Sequence, residues 1–189
     1  MAPFKLLLEI SGSKEIMRRY FVVNGFDGAL TLLGLLMGLH VSDQAELELA
    51  ITSCLATALA LGMSGISSAY ISEAAERRSN LAQLESAMVS DLEKSHHARA
   101  AVLVPWLVAL VNGLAPLFFG LLIIVPLWLV QHGLMELQEP LYAAMLMALS
   151  IIFLLGVFLG RIGSRFWLWS GLQALAVAAV TLGLIRLIN

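Results

Sequence analysis

Hydrophobic residues fall in five long, almost unbroken runs that short polar segments separate. A helix needs about 20 apolar residues to cross a hydrocarbon layer roughly 30 Å thick, and each run reaches that length. Strands of a membrane barrel would alternate apolar and polar positions, and runs such as LLIIVPLWLV do not alternate. The pattern predicts an all-α integral membrane protein with five transmembrane helices. We place these helices at residues 20–41, 49–72, 102–130, 141–160 and 167–188.

Composition supports the membrane class. Of 189 residues, 60% are hydrophobic and only 13% are charged, whereas soluble domains average roughly 25% charged residues. These values exclude a water-soluble globule and a disordered regulator, and the single Cys54 excludes a disulfide scaffold. The net charge of −2 offers no basic surface for nucleic acid, so we expect none as a partner.

Basic residues predict the orientation, because Lys and Arg are retained on the cytoplasmic side of a membrane. Ten of the eleven fall on one side of the five spans, and only Arg186 falls on the other. The ten are Lys5, Lys14, Arg18, Arg19, Arg77, Arg78, Lys94, Arg99, Arg161 and Arg165. We therefore expect a cytoplasmic N-terminus and an external C-terminus.

The same topology divides the chain into four parts of a single membrane domain. Residues 1–19 form a cytoplasmic amphipathic lead-in, residues 20–72 the first two transmembrane helices, residues 73–101 a cytoplasmic helical segment and residues 102–189 the last three transmembrane helices. No cleavable signal peptide or organellar targeting segment is visible, so the expected host is a prokaryotic inner (plasma) membrane.

The first span contains an ionisable residue, Asp27. A carboxylate near the centre of a lone membrane helix costs roughly 2.5–3.5 kcal/mol, so Asp27 should face protein, water or a cation rather than lipid. Asn24 and Thr31 lie near the same helical stripe and extend this polar face. The alternatives are a protonated carboxyl bonded to a neighbouring helix and a carboxylate that reaches the nearby interface. Gly34 and Gly38 fit a close helix contact, within the chain or across a dimer.

The second span combines small residues with Met63, Ser67, Tyr70 and Glu73 along one face. A thioether, two hydroxyls and a carboxylate in a row provide ligands for a borderline cation such as Fe²⁺. A lone Met in a membrane helix is more often a packing residue, and that reading stays open.

The third span contains three prolines, Pro105, Pro116 and Pro126. Because proline lacks an N–H group, Pro116 leaves the carbonyl of Asn112 without its helical donor. Such a carbonyl is tolerated where water or an ion replaces the donor, so Asn112 joins the predicted transport pathway. A kink that neighbouring helices satisfy explains the sequence equally well.

Acidic and imidazole groups follow the second span in the cytoplasmic segment. Glu73 and Glu76 are three residues apart and Glu93 and His97 are four apart, so each pair suits a shared divalent cation on a helix. A solvated helix face gives the same pattern without metal. The sequence contains no catalytic acid–base pair, nucleophile triad, phosphate-binding loop or HExxH zinc motif, so we do not expect an enzyme.

Two stretches, VNGFDGALTLLGLLMG and LALGMSGISSAYISEAAERR, resemble the vacuolar iron transporter family. The first resembles the DG-x-x-T-x-x-G signature of that family's first helix, here Asp27-Gly28, Thr31 and Gly34. The second resembles its Met-containing second helix with an acidic extension, and GLAPLFFGLLIIVPL resembles its third helix. The chain would be a short member with a reduced cytoplasmic metal-binding segment.

The resemblance implies a homodimer that transports Fe²⁺ or Mn²⁺ out of the cytoplasm in exchange for protons, with no permanently bound cofactor. It implies Asp27 and Met63 as pathway ligands, with Glu73, Glu76, Glu93 and His97 collecting metal at the cytoplasmic entrance. The alternative function is a non-transporting membrane scaffold or metal sensor whose cytoplasmic helix binds a partner.

Overall fold

The computed structural model describes residues 13–42, 46–88, 96–163 and 166–188, and the regular structure in these ranges consists of five α-helices. Each of the five is long and apolar enough to cross a membrane, as the sequence predicts. The helices are α1 (Ser13–Val41), α2 (Leu47–Met88), α3 (His96–Gln131), α4 (Pro140–Ile162) and α5 (Trp167–Ile188).

Two helices begin more than a turn before the apolar runs that predicted them. α1 begins at Ser13 rather than residue 20, and α3 begins at His96 rather than residue 102, within the segment 73–101 that the sequence predicts to be helical. The added turns are polar. They are helical because a helix continues wherever its backbone is hydrogen-bonded, and it need not stop at the edge of the apolar run. Residues 1–12 of the predicted lead-in lie outside the described ranges.

The longest helix is α2, with 42 residues. At 1.5 Å per residue it extends over about 63 Å, roughly twice the thickness of a hydrocarbon layer. Its second half contains Glu73, Glu76 and both Arg77 and Arg78, and it runs on to Met88 without a break. A single continuous helix therefore has an apolar first half and a polar second half.

Helix α1 lies at the centre of the bundle and contacts each of the other four helices. The pairs Asn24–Asn112 and Gly28–Pro116 show that α1 and α3 run parallel, with close backbone approach. A Cβ atom added to Gly28 would lie 2.7 Å from the Pro116 Cβ, so only glycine fits this crossing.

Helices α2, α3, α4 and α5 form an arc around α1, because consecutive members of this series are in contact and α2 and α5 share no extensive contact within the described residues. The arc leaves one side of α1 open between α2 and α5. The exposed residues Val23, Asp27 and Thr31 lie on the outward side of α1. The opposite side of α1 is buried, and its fully buried leucines are Leu32, Leu33 and Leu36.

Helix α3 remains continuous through its three prolines. Pro105 and Pro116 are buried, and Pro116 forms the contact with Gly28. The Pro116 residue lacks a backbone N–H donor, but it packs against α1 at the helix crossing. α3 is therefore one continuous helix and not two half-helices.

Candidate functional site

Asp27 occupies the midpoint of α1, fourteen residues from both Ser13 and Val41. This position is about 21 Å from either end of the helix. Its side chain is exposed and lines a partly open cavity of about 480 Å³ between α1, α4 and α5. The carboxylate is therefore neither sealed in the core nor close to a helix terminus.

The walls of the Asp27 cavity are mainly apolar, with two further polar side chains. α1 contributes Val22, Val23 and Phe26, the end of α4 contributes further apolar residues, and α5 contributes Ser170 and Gln173. A hydroxyl and a carboxamide provide oxygen ligands for a divalent cation or hydrogen-bond partners for a carboxyl group.

Ser170 and Gln173 are members of the site that the sequence did not assign to it. Polar residues in the fifth apolar run were the available signal, but the run gives no indication of which face they occupy. Small residues explain the approach of α5 to α4: a Cβ atom added to Gly156 would lie 2.8 Å from the carbonyl oxygen of Ser170. This close packing brings the polar part of α5 beside α1.

Two predicted pathway residues, Asn24 and Asn112, form an amide junction between helices. The Asn24 amide nitrogen donates to the side-chain oxygen of Asn112 and, at 3.0 Å, to the carbonyl oxygen of Tyr20. The Asn112 amide nitrogen donates to the carbonyl oxygen of Gly65 on α2 at 2.8 Å. Both amides therefore have protein partners, and the junction connects α1, α2 and α3.

The backbone carbonyl of Asn112, which Pro116 deprives of a donor, faces α2. A Cβ atom added to Gly65 would lie 3.3 Å from this oxygen, and Asn112 as a whole is buried. The backbone of α2 therefore covers the carbonyl that the sequence assigned to a pathway.

Met63 and Ser67 lie on the outer face of α2, and Tyr70 lies against α3. The Met63 side chain is 61% exposed, and the exposed Ser67 hydroxyl donates to the Met63 carbonyl oxygen at 2.8 Å. The Tyr70 ring packs on Trp106 with a centroid separation of 4.4 Å. A thioether and a hydroxyl are thus presented outward from the single chain.

The predicted acidic entrance separates into a buried and an exposed carboxylate. Glu73 is only 5% exposed and forms an ion pair with Arg77, with oxygen–nitrogen distances of 2.9 and 3.0 Å. Glu76 is exposed. Glu93 lies outside the described residues, and the side chain of His97 is not described, so the structure does not place the second predicted pair.

The described chain does not bring all the predicted ligands together. The residues that line the Asp27 cavity belong to α1, α4 and α5, so neither Met63 nor Asn112 is among them. Across residues 13–42, 46–88, 96–163 and 166–188, no group of three or more His, Cys, Asp or Glu side chains is arranged to hold a metal ion. Within one chain, the site consists of one accessible carboxylate with nearby hydroxyl and amide groups.

Such a carboxylate has two ways to be neutralised in an apolar environment: it binds a cation or it binds a proton. Both use the same oxygen atoms, so occupation by one ion opposes occupation by the other.

The chain is similar to an uncharacterized protein of the archaeon Methanocaldococcus jannaschii. The two are 29% identical over 163 residues, which cover 85% of this chain and 82% of the relative. No family model and no solved structure matches the chain.

Proposed function

We propose that this protein is an integral membrane transporter that moves Fe²⁺ or Mn²⁺ out of the cytoplasm in exchange for protons. The observation that carries the proposal is the position of Asp27: an accessible carboxylate in the apolar part of α1, seven residues after the start of the predicted span, in a cavity of about 480 Å³. The resemblance to the vacuolar iron transporter family supports the choice of substrate.

The exchange follows from the energetics of one charge in a membrane. An ionised carboxylate costs up to roughly 2.5–3.5 kcal/mol in a membrane helix, the full value applying at its centre. A bound proton neutralises the carboxylate, and a divalent cation pairs with it and needs further oxygen or sulfur ligands. Asp27 therefore binds metal from the cytoplasmic side, releases it on the external side when a proton replaces it, and returns in the protonated form. Competition for one carboxyl group couples the two movements.

In this mechanism α1 supplies hard oxygen ligands and α2 supplies the soft thioether ligand. Asp27, Asn24 and Thr31 provide oxygen along α1, and Met63 with Ser67 provides a thioether and a hydroxyl on α2. Thioether sulfur favours borderline transition metals over Mg²⁺ and Ca²⁺. We place Glu73, Glu76, Glu93 and His97 at the cytoplasmic entrance, where Glu76 is the described carboxylate exposed to solvent.

A homodimer completes the proposed site. In one chain Asp27, Thr31, Met63 and Ser67 are exposed on surfaces that would otherwise face lipid. A second copy placed against the open side of α1 covers the carboxylate and removes its lipid contact. The dimer thus explains both the gap in the arc of helices and the outward direction of the Met63 side chain.

The test is metal flux in proteoliposomes under a pH gradient, with Fe²⁺, Mn²⁺, Co²⁺ and Zn²⁺ compared side by side. We expect Asp27→Asn to insert and assemble normally and to lose at least 90% of the Fe²⁺ and Mn²⁺ flux, because a neutral amide cannot exchange a metal for a proton. The matched control is Ser150→Ala, a polar residue of α4 outside the Asp27 cavity. Flux through Asp27→Asn equal to that of the control would exclude the mechanism.

The second candidate function is a membrane scaffold or metal sensor, and the length of α2 favours it. The polar half of α2 extends far beyond the thickness of a membrane and exposes most of its residues, as a helix that binds a partner would. Saturable Mn²⁺ binding without flux in the same liposomes would support this candidate. Metal-stimulated proton movement would exclude it.

A further inference from the structure

A second cavity lies at the end of the bundle where α1 begins. Its volume is about 480 Å³, and it lies between the first turns of α1 and the last turns of α4. Arg18 and Arg19 line its exposed mouth, and Ile16, Leu159 and Ile162 line its apolar part. Both the size and the mixture of a few polar groups with apolar walls are typical of a ligand site.

The charges at this mouth are net positive. Glu15 also lines the cavity, but no ion pair joins it to Arg18 or Arg19 within the described residues. The guanidinium of Arg19 lies 5.7 Å from the Tyr20 ring centroid. Arg161, at the same end of the bundle, lies over the Trp167 ring at 5.8 Å. The mouth is therefore suited to an anion that two guanidinium groups can contact.

The cavity continues towards the interior of the bundle. Val22 and Leu159 line both this cavity and the Asp27 cavity, so the two adjoin along the seam between α1 and α4. Beyond this shared boundary lies the Asp27 cavity, so the apolar crevice of the second cavity consists of Ile16, Val22, Leu159 and Ile162. A cationic mouth at the surface leads into this apolar crevice, which is the polarity of an amphiphile with an anionic head.

We propose that this crevice binds an anionic phospholipid, with its phosphate at Arg18 and Arg19 and one acyl chain along Ile16, Leu159 and Ile162. The proposal rests on the membrane insertion in the proposed function, and it is independent of metal transport. A lipid fits better than free phosphate, because a small anion would contact the arginines but would leave the apolar crevice below them unfilled. The basic end is also the end expected to face the cytoplasmic leaflet, where anionic lipids attract Arg and Lys.

Native mass spectrometry of the detergent-solubilised full chain tests the proposal. The probes are phosphatidylglycerol, phosphatidylcholine and inorganic phosphate, each titrated separately. We expect phosphatidylglycerol to bind in a 1:1 ratio per chain and at least tenfold more tightly than phosphatidylcholine, with no retained inorganic phosphate. Equal retention of the two lipids, or retention of phosphate without lipid, would overturn the proposal.

Two sets of variants assign the binding to the crevice. Arg18→Gln with Arg19→Gln should weaken phosphatidylglycerol binding about 30-fold, since each arginine near an anionic surface is worth about 1 kcal/mol. The conservative variant Arg18→Lys with Arg19→Lys keeps both positive charges and should retain most of the wild-type affinity for phosphatidylglycerol. The matched control, Arg78→Gln with Arg99→Gln, removes two exposed charges that do not line the cavity and should change binding less than twofold.

Ile162→Trp tests the acyl-chain half of the site. Ile162 is 39% exposed and lines this cavity but not the Asp27 cavity, so a larger side chain fills the crevice without repacking the core or changing the Asp27 site. We expect this variant to bind phosphatidylglycerol at least tenfold more weakly while its arginines are intact. Undiminished binding would contradict the acyl-chain position, and the metal flux measured on the same preparation separates this outcome from a failure of the transport proposal.

Discussion

Individual polar residues in the apolar helices have two different surroundings. Asn24 and Asn112 bind each other and nearby backbone carbonyls, whereas Asp27 faces a cavity. Interhelical hydrogen bonds of this kind stabilise membrane proteins by about 0.6 kcal/mol on average. The amides therefore contribute to the assembly of three helices, and Asp27 is an accessible carboxylate beside them.

Asn112→Ala should lower the free energy of unfolding by about 1–2 kcal/mol, because it removes the bonds to Asn24 and to the Gly65 carbonyl. Unfolding by dodecyl sulfate in mixed micelles provides the measurement. Ser150→Ala is the control, since the Ser150 hydroxyl donates to the Leu146 carbonyl of its own helix. If the two variants lose the same stability, the amide junction does not contribute as described.

The sequence was sufficient to identify these polar residues but not their partners. Asp27 and Asn112 both stand out in apolar runs, yet helical periodicity along one helix does not fix how that helix is rotated against its neighbours. Ser170 and Gln173 were missed for the same reason: their importance depends on the contact of α5 with α1. The direction of Met63 follows from Gly65 and Gly113, which determine which face of α2 packs on α3.

At the scale of elements, glycines determine the spacing of the helices. Gly62 and Gly65 of α2 face Gly113 of α3, and Gly28 of α1 faces Pro116. Helices in lipid gain little from the hydrophobic effect when they associate, so close backbone contact supplies much of their attraction. These positions fix the rotation of α2 and hence the outward direction of Met63.

Gly113→Ala tests this packing. The added Cβ would collide with the carbonyl oxygen of Gly62 and the side chain of Ile66, so we expect a loss of about 1–3 kcal/mol in stability. Gly183→Ala is the control, because a Cβ there meets no atom within 4 Å in the part of the chain that the structure describes, and alanine has the higher helix propensity. The same dodecyl sulfate titration measures both, and a stable Gly113→Ala variant would show that the α2–α3 contact is looser than described.

The five-helix pattern itself was predictable because each run meets the length requirement of a membrane on its own. The beginning of α1 was not, because its first turns are polar and carry no apolar signal. The start of α3 lies within residues 73–101, which the sequence predicted to be helical. The sequence alone also could not predict that α3 continues through three prolines, because this depends on packing such as that of Pro116 on Gly28.

At the scale of the whole molecule, the arc of four helices leaves the central helix open on one side. Val23, Asp27 and Thr31 lie on the outward side of α1, and no atom of the described residues lies within 4 Å of a Cβ added to Gly38. Gly34, by contrast, faces Ile185 of α5 within the same chain. The open side is the surface that we propose to be covered by a second copy.

Gly38→Leu tests the proposed dimer. Because the position has free space in one chain, the substitution should leave the monomer folded and weaken self-association about tenfold, corresponding to about 1.4 kcal/mol. Energy transfer between labelled chains in liposomes measures the association. Ser150→Leu, which enlarges an exposed residue on α4, should have no such effect. Equal association constants for the two variants would place the interface elsewhere.

The most direct test of the account is simultaneous measurement of Mn²⁺ and proton movement in proteoliposomes that contain the wild-type chain, Asp27→Asn or Asp27→Glu. We predict that wild-type Mn²⁺ flux is accompanied by proton movement in the opposite direction. Asp27→Asn should abolish both movements, and Asp27→Glu should retain part of each, because it preserves the exchangeable carboxyl group. Mn²⁺ flux that persists in Asp27→Asn with unchanged proton coupling would contradict the central role of this carboxylate.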